Sequence, residues 1–422
     1  MKNQQPILIK LTFVHGLQEI VLSEISKYPE LKDLIRIVER GVDYLYFDFI
    51  PAIIENSLEN PSEDSPTDTS ESSNSSKKLK TKDEENEDSA TIVDSFLKTL
   101  EKLIQLRSIT NIYLVQKGEK LHPIHINNHK SILGTMIELV LHLHLTSKSK
   151  SITKSIKAYK TFKLRCAGSD SPEAILIQKY ISDTFKLTLS EDADLDTYIH
   201  KPGELWEVGV RVTPRPISVR NYKVENIKGG MNSAVAYAVN TFALKKLDTV
   251  SPFSYLNICS GSATLLLEAG TDIQAQFGNS ILTPTNIPTT IKLLGFDIDN
   301  KTNSLAIQNI KKAGFIRSIQ IKTADLLDKP DFGMFNTITS DLPFGMQIAK
   351  GTDLNKLYKA FVEYVESHLN QTGTLVVYTT EIDTFENALR GSKLHIEKTL
   401  NLQITTIVNS HIHPKIFVCT FK

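Results

Sequence analysis

From about residue 231 to the last residue, short β-leaning apolar runs alternate with segments of helical period, and no other feature limits the fold as strongly. Helices are predicted over 232–247, 264–274, 302–313, 354–369 and 385–390. Strands are predicted over 254–258, 292–296, 319–322, 334–339 and 374–379, with a last pair near 403–408 and 416–421. Strands that alternate with helices imply a parallel, doubly wound α/β sheet, and a closing hairpin adds antiparallel edge strands. Ligands of such sheets sit beyond the carboxyl ends of the strands, at the topological switch point. The residues that follow each strand are therefore the ones to read for chemistry.

The first strand runs into Cys259-Ser260-Gly261-Ser262-Ala263, and a helix opens at Thr264. Small residues let backbone approach a ligand, and a helix N-terminus favours a negative group. The second strand ends in Asp297-Ile298-Asp299, where a carboxylate can accept both hydroxyls of a ribose. The third is followed by Asp325-Leu326, an acceptor for an adenine amine with an apolar side chain beside the ring. The fourth ends in Ser340-Asp341-Leu342-Pro343-Phe344-Gly345. That order suits methyl transfer to a planar amine, a poor nucleophile because its lone pair is delocalised into the ring. Asp341 and the carbonyl of Leu342 can accept the amine hydrogens, so that the lone pair points outward. Pro343 lacks an N–H and stiffens the turn, and Phe344 offers a face or edge to a base. Positive charge that develops on the nitrogen falls beside the Asp341 carboxylate. An ordinary strand-to-loop turn has the same composition. A nicotinamide-type site would explain the first two strand ends and not the third and fourth.

A chain of 422 residues is expected to hold two or three domains. No run of eighteen apolar residues suggests a membrane span, and Met1-Lys2-Asn3-Gln4-Gln5-Pro6 leads straight into an alternating strand. Cys166, Cys259 and Cys419 lie far apart without zinc spacing, which fits a reducing, cytoplasmic setting. Residues 1–56 and 91–127 read as strand, helix, strand, helix, strand, a ferredoxin-like α+β layer. Residues 57–90 interrupt it with ten acidic and four basic side chains and almost nothing apolar, and are expected to be disordered. Without that stretch the rest of the chain carries about +6. Lys148, Lys150, Lys154, Lys157, Lys160, Lys163 and Arg165 follow one another without an acid. Arg211, Arg215, Arg220, Lys223 and Lys228 form a second basic cluster, and together the two suggest a polyanion partner.

Residues 256–264, 295–299 and 340–345 together resemble class I S-adenosylmethionine-dependent methyltransferases of amines. More narrowly, the chain resembles the THUMP-domain guanine-N2 RNA methyltransferases. Val14-His15-Gly16-Leu17-Gln18-Glu19 is similar to their opening strand-to-helix turn, and the stretch from Phe162 through Arg215-Pro216 and Arg220-Asn221-Tyr222 to Ala234-Val235-Ala236-Tyr237 to their THUMP domain, linker and first methyltransferase helix. The resemblance implies a ferredoxin-like domain, a THUMP RNA-binding domain at 128–216, a linker at 217–230 and a Rossmann-like methyltransferase domain at 231–422. It implies that Asn257, Cys259, Gly261, Ser262, Thr264, Asp297, Ile298, Asp325 and Leu326 hold S-adenosylmethionine. Asp341, Leu342, Pro343 and Phe344 would act on a guanosine of tRNA, near the acceptor stem. Lys154, Lys157, Lys160, Lys163, Arg215 and Arg220 would grip the RNA. Eukaryotic members use a small zinc-binding activator subunit. Two positions depart from the family loop: Asn257 stands where Asp is usual and Ala263 where Gly is usual, and each change is expected to weaken cofactor binding. An adenine-N6 methyltransferase and an inactive THUMP-type RNA-binding protein are the alternatives. His122, His125, His411 and His413 lack carboxylate or thiolate partners at ligand spacing, so no metal is expected. Glu268, early in the helix after the loop, reads as structural.

Overall fold

The computed structural model describes residues 6–50, 82–146, 159–225, 230–248, 251–277, 290–344, 353–405 and 410–422. The chain begins β1 (Leu8–Thr12), α1 (Gln18–Ile25), a short turn of helix α2 (Pro29–Lys32), β2 (Ile35–Arg40), β3 (Tyr44–Phe49), α3 (Lys82–Leu103) and β4 (Asn111–Gly118). β1 lies between β3 and β4, antiparallel to both, and β2 pairs with the outer side of β3. This is the β-α-β-β-α-β order of a ferredoxin-like layer. Sequence pattern missed β2 because an edge strand with a solvated face shows little alternation: only Ile35 in it is buried. Helix α3 starts at Lys82, inside the stretch expected to remain disordered to residue 90. Residues 57–81 lie outside the described residues.

Next come α4 (Ile126–Thr146), β5 (Thr161–Cys166), α5 (Pro172–Phe185), β6 (Thr188–Leu189), β7 (Leu195–His200) and β8 (Trp206–Arg211). Ser171 caps α5 by accepting from the Ala174 N–H at 3.2 Å, with Pro172 as its first residue. β8 pairs antiparallel with β4 from Trp206 to Arg211, so the two expected amino-terminal units share one sheet of eight strands. The order is β2-β3-β1-β4-β8-β7-β5-β6.

The carboxy-terminal unit comprises α6 (Ser233–Ala243), β9 (Phe253–Ile258), α7 (Thr264–Phe277), β10 (Ile291–Asp297), α8 (Asn300–Ala313), β11 (Ile319–Thr323), β12 (Phe335–Asp341), α9 (Leu354–His368), β13 (Leu369–Thr379), α10 (Ile382–Leu389), β14 (Leu394–Asn401), β15 (Ile404–Thr405), β16 (His411–Ile412) and β17 (Lys415–Phe421). Seven of its strands form one sheet in the order β11-β10-β9-β12-β13-β17-β14, the first five parallel and β17 antiparallel to both neighbours. The Rossmann-like α/β class is as expected. The edge strand is not: β14 occupies the place given to 403–408, of which Ile404–Thr405 instead forms a two-stranded ribbon with β16. β14 escaped notice because it buries only Leu394 fully. On one face of this sheet Leu256, Ile258, Phe296 and Ile338 pack with Tyr358, Phe361 and Val365 of α9. On the other, Tyr255 and Val376 pack with α6 and α7. Among the described residues, no helix is long and apolar enough to cross a membrane.

The two sheets are joined by buried charge. Glu24 of α1 accepts from the N–H groups of Arg107 and Ser108, both at 2.8 Å, and so holds the turn before β4. Arg107 reaches from that turn to the carboxylates of Glu268 and Asp272 on α7. Glu268, 1 % exposed, also accepts from Arg220 Nε at 3.1 Å and from the Tyr222 hydroxyl at 2.7 Å. Arg107, Arg220 and the Tyr222 hydroxyl hold the Glu268 carboxyl down at about 2 against its burial. Its depressed pKa makes its contribution to stability present above pH 4.5 and lost as pH falls toward 2. A second contact lies at the Val14–Leu17 turn. Gln403 donates its N–H to the His15 carbonyl at 3.1 Å. Gly16 has φ +99°, and a Cβ there would stand 2.2 Å from the Asn401 carbonyl oxygen, so this turn needs glycine for both reasons.

Removing the Glu268 carboxylate leaves two guanidinium groups without their shared partner in the interior. Glu268→Ala is expected to cost about 3–5 kcal/mol in denaturant unfolding. Asp94→Ala breaks the exposed Asp94–Lys98 pair, whose side chains are 64 % and 70 % exposed, and should leave stability nearly unchanged. Equal losses would mean that the junction does not hold the halves together.

Candidate active site

Register brings the site together. Phe296 of β10 and Ser340 of β12 both pair with Ile258 of β9. One residue further on, the same three strands deliver Asp297, Cys259 and Asp341 side by side. Two strand spacings separate β10 from β12, roughly 9–10 Å. That span allows a bound molecule to meet Asp297 at one end and Asp341 at the other. Burial and the neighbouring Asp297 and Asp341 carboxylates push the Cys259 thiol up, which agrees with this adjacency.

Between them lies the loop after β9. Cys259, Gly261 and Ala263 all have positive φ, at +54°, +51° and +66°. Two non-glycine residues in the left-handed region within five positions mark stored strain of the sort that collects at ligand sites. The Gly261 N–H donates to Asp297 Oδ2 at 3.0 Å, and the Asp299 N–H donates to Asp297 Oδ1 at 3.0 Å. These bonds fix the carboxylate and use two of its roughly four acceptor positions. Among the described residues, a Cβ on Gly261 would meet nothing within 4 Å, so they leave space beside the loop there. Ser262 and Thr264 exchange a hydroxyl contact at 3.3 Å as α7 begins. Ala263 is fully buried in the core with α6 and α7, so its methyl does not project into this space. Asn257 is 1 % exposed, donates Nδ2 to the Thr339 carbonyl at 3.2 Å, and leaves Oδ1 without a partner among the described residues. It lies beneath the loop.

Beyond β10, Ile298 is 65 % exposed beside Asp297. Asp299 caps α8 through the N–H groups of Lys301 and Thr302. Asp325, two residues past the end of β11, accepts from the Leu327 N–H at 2.9 Å and caps a single turn in which Leu326 is buried. At the fourth strand end the Leu342 N–H donates to the Tyr378 carbonyl at 3.1 Å, the last ladder bond before the chain turns. Phe344 meets Tyr378 edge-on, with centroids 5.9 Å apart. Burial pushes the half-buried Asp341 carboxyl up to about 8. Gly345 lies outside the described residues.

The basic residues are distributed differently from expectation. Lys154 and Lys157 lie outside the described residues. Lys160 and Arg215 are exposed and Lys163 is half-buried on β5. Arg220 is not available to a phosphate, because its guanidinium is bound to Glu268 and to the carbonyls of Ile217 and Arg107. Arg211, 7 % exposed, pairs with Asp196, and Lys223 donates to the Met231 carbonyl. Sequence reading missed Asn309 of α8, whose Nδ2 donates to the Ser262 carbonyl at 3.1 Å and whose Oδ1 accepts from the Val224 N–H at 2.8 Å. It ties the loop to the linker, and an isolated Asn in a helix gives no signal of that.

A doubly wound sheet with a strained loop and acids on consecutive strand ends defines a class of nucleotide-binding α/β protein. Residues 220–409, most of the carboxy-terminal unit, match the RMKL-like methyltransferase domain of the UPF0020 family. A curated relative, the tRNA (guanine(6)-N2)-methyltransferase of Archaeoglobus fulgidus, is 25 % identical over 185 residues, 42 % of this chain and 46 % of that protein. The chain thus spans about half the length of the curated relative it matches. TrmN from Thermus thermophilus has a similar structure, with TM-score 0.58, 16 % identity and coverage of 99 % of this chain and 100 % of that one. The SAH complex of SMU.472 gives TM-score 0.59 and 12 % identity over 100 % and 99 % of the two chains. Both likenesses are of fold.

Asp341 supplies a test that needs no ligand. Its folded pKa lies above its ordinary 3.8, so its contribution to stability is complete below that value and is lost as pH rises through about 8. Asp341→Asn should therefore melt increasingly above the native protein from pH 4 to pH 8. A melting difference that stays constant over this range would show that the carboxyl is solvated.

Proposed function

We propose that this chain is an S-adenosylmethionine-dependent RNA methyltransferase that modifies the exocyclic N2 amine of a guanosine in tRNA. The observation that carries this reading is the row Asp297–Cys259–Asp341, with an acid at each end of an open, strained loop. S-adenosylmethionine supplies, when bound, a methyl group on a positively charged sulfonium. Asp297 keeps acceptor positions for two ribose hydroxyls, Ile298 offers an exposed apolar surface to adenine, and Asp325 keeps an oxygen for its amine. Asn257, Cys259, Gly261, Ser262, Thr264 and Leu326 shape the remaining wall. Asp341 accepts one hydrogen of the guanine amine and the Leu342 carbonyl accepts the other, while Pro343 and Phe344 set the turn. As the nitrogen becomes positive, the ionised Asp341 stabilises it.

A base inside a helix cannot reach Asp341, so the target must leave its stack. Lys160, Lys163 and Arg215 on the amino-terminal sheet supply phosphate contacts, and residues 128–216 serve as a THUMP-type RNA-binding unit. The relative's guanine-N2 activity supports guanosine as the target. A predicted N6-adenine-specific DNA methylase from Listeria monocytogenes shares the fold, at TM-score 0.56 and 14 % identity over 98 % of this chain and 96 % of that one. Mass analysis of nucleosides from cells with and without the protein separates the two products.

Asp297→Ala should weaken calorimetric binding of S-adenosylhomocysteine by about 1.5–3 kcal/mol, the scale of a hydrogen bond to a charged group. An unchanged dissociation constant removes Asp297 from the cofactor site. Asp341→Ala should slow single-turnover transfer from labelled cofactor by on the order of 10²–10³-fold with little change in RNA or cofactor affinity. Asp341→Asn should be milder, because the amide oxygen still accepts. Equal rates for Asp341→Ala and the native protein would end the mechanism.

A further inference from the structure

Beyond Leu342 the chain leaves the sheet, and the Pro343 carbonyl is the first group in the turn held by a side chain. The Tyr358 hydroxyl of α9 donates to it at 3.1 Å. The same hydroxyl lies 2.7 Å from Thr379 Oγ1 at the end of β13, and Thr379 Oγ1 accepts from the Glu381 N–H at 3.0 Å. A carbonyl can only accept and a backbone N–H can only donate. The single hydroxyl hydrogens are therefore directed one way: Glu381 N–H to Thr379, Thr379 O–H to Tyr358, Tyr358 O–H to Pro343. Tyr358 and Thr379 are both fully buried, and the Tyr358 ring packs among Phe361, Phe385 and Val362. Phenylalanine would fill that space equally well, and a buried hydroxyl is unfavourable unless it is bonded. What the hydroxyl adds is a fixed orientation of the peptide between Pro343 and Phe344.

We propose that Tyr358, oriented by Thr379, is a positioning residue for methyl transfer: it fixes the Pro343 carbonyl and with it the Asp341–Phe344 turn that receives the amine. The proposal rests on the function inferred above. Tyr358 touches no substrate in this account. It acts through the turn, so it should change the rate of transfer more than the affinity for either ligand.

Helix α9 contains its own control. Tyr364 is likewise fully buried and donates to a proline carbonyl, that of Pro330, at 2.7 Å, but Pro330 precedes β12 and lies at the opposite end of the strand from Asp341. In the full chain, Tyr358→Phe should lower single-turnover transfer to tRNA from cells lacking this protein by about three- to tenfold, the scale of one neutral hydrogen bond. Tyr364→Phe should leave it unchanged. Calorimetric binding of S-adenosylhomocysteine should be the same for both. Amide exchange at Leu342 and Phe344 should quicken in Tyr358→Phe and not in Tyr364→Phe. Thr379→Val should share the Tyr358→Phe defect, and Thr379→Ser should restore it. Equal rates for the two tyrosine variants, or a loss in Tyr358→Phe without faster exchange at the turn, overturns the proposal. A native protein that binds S-adenosylhomocysteine but methylates no RNA overturns the function itself, and the positioning role with it.

Discussion

The parallel pairing of β9 with β10 and β12 is the constraint on which the candidate site depends. Because Ile258 is opposite both Phe296 and Ser340, the residues after each fall in one row. A slip of one residue in either pairing would turn Asp297 or Asp341 to the opposite face of the sheet. The register is held from below by apolar side chains of the same strands: Leu256, Ile258, Leu294, Phe296 and Ile338 are buried in one cluster against α9. Packing under the sheet thus determines chemistry at its end. The Ser340 hydroxyl adds a direct tie by donating to the Ile258 carbonyl at 2.8 Å.

The second dependence is electrostatic and crosses the molecule. Glu268 follows the strained loop by one helical turn and binds Arg107 from the amino-terminal sheet and Arg220 from the linker. Asp272, on the same side of α7, binds the other nitrogen of Arg107, and burial with the nearby Glu268 and Glu24 carboxylates holds its carboxyl up at about 6. This set of charges therefore ties the amino-terminal sheet to the helix behind the loop, beside the apolar cluster that the two units share. Replacing a single member leaves the others in a medium that cannot solvate them.

How much of this could be read from the sequence varied with the kind of force involved. Asp297, Asp325 and Asp341 were legible because strand period and strand ends are local properties. Glu268 was legible as structural because an acid within an apolar helix face needs a partner, although its partners could not be named. Arg220 was misread because a cation alone reveals neither its burial nor a carboxylate 48 residues away. The strand Leu394–Asn401 was hidden because its neighbour on one side is solvent. The shared eight-stranded sheet was hidden because the β4–β8 pairing joins segments far apart in the chain, and no local pattern records such a pairing. Tyr358 was hidden for a different reason: in a helical stripe its ring looks like any core aromatic, and only the direction of its hydroxyl sets it apart.

The same burial that encloses the turn works against the charge state that the proposed chemistry needs. Asp341 sits where removal of water favours the neutral carboxyl at neutral pH. A neutral carboxyl can still accept a hydrogen from an amine, yet it cannot stabilise a positive nitrogen as a carboxylate can. Any cation brought beside it draws the carboxyl back toward ionisation, so positive charge in the cleft and a competent Asp341 are thermodynamically linked. The neighbouring groups do not relieve this, since burial keeps Cys259 and Tyr378 neutral. In the proposed reaction the carboxyl is thus the weakest acid when no cation lies beside it and the strongest when one is present or forming.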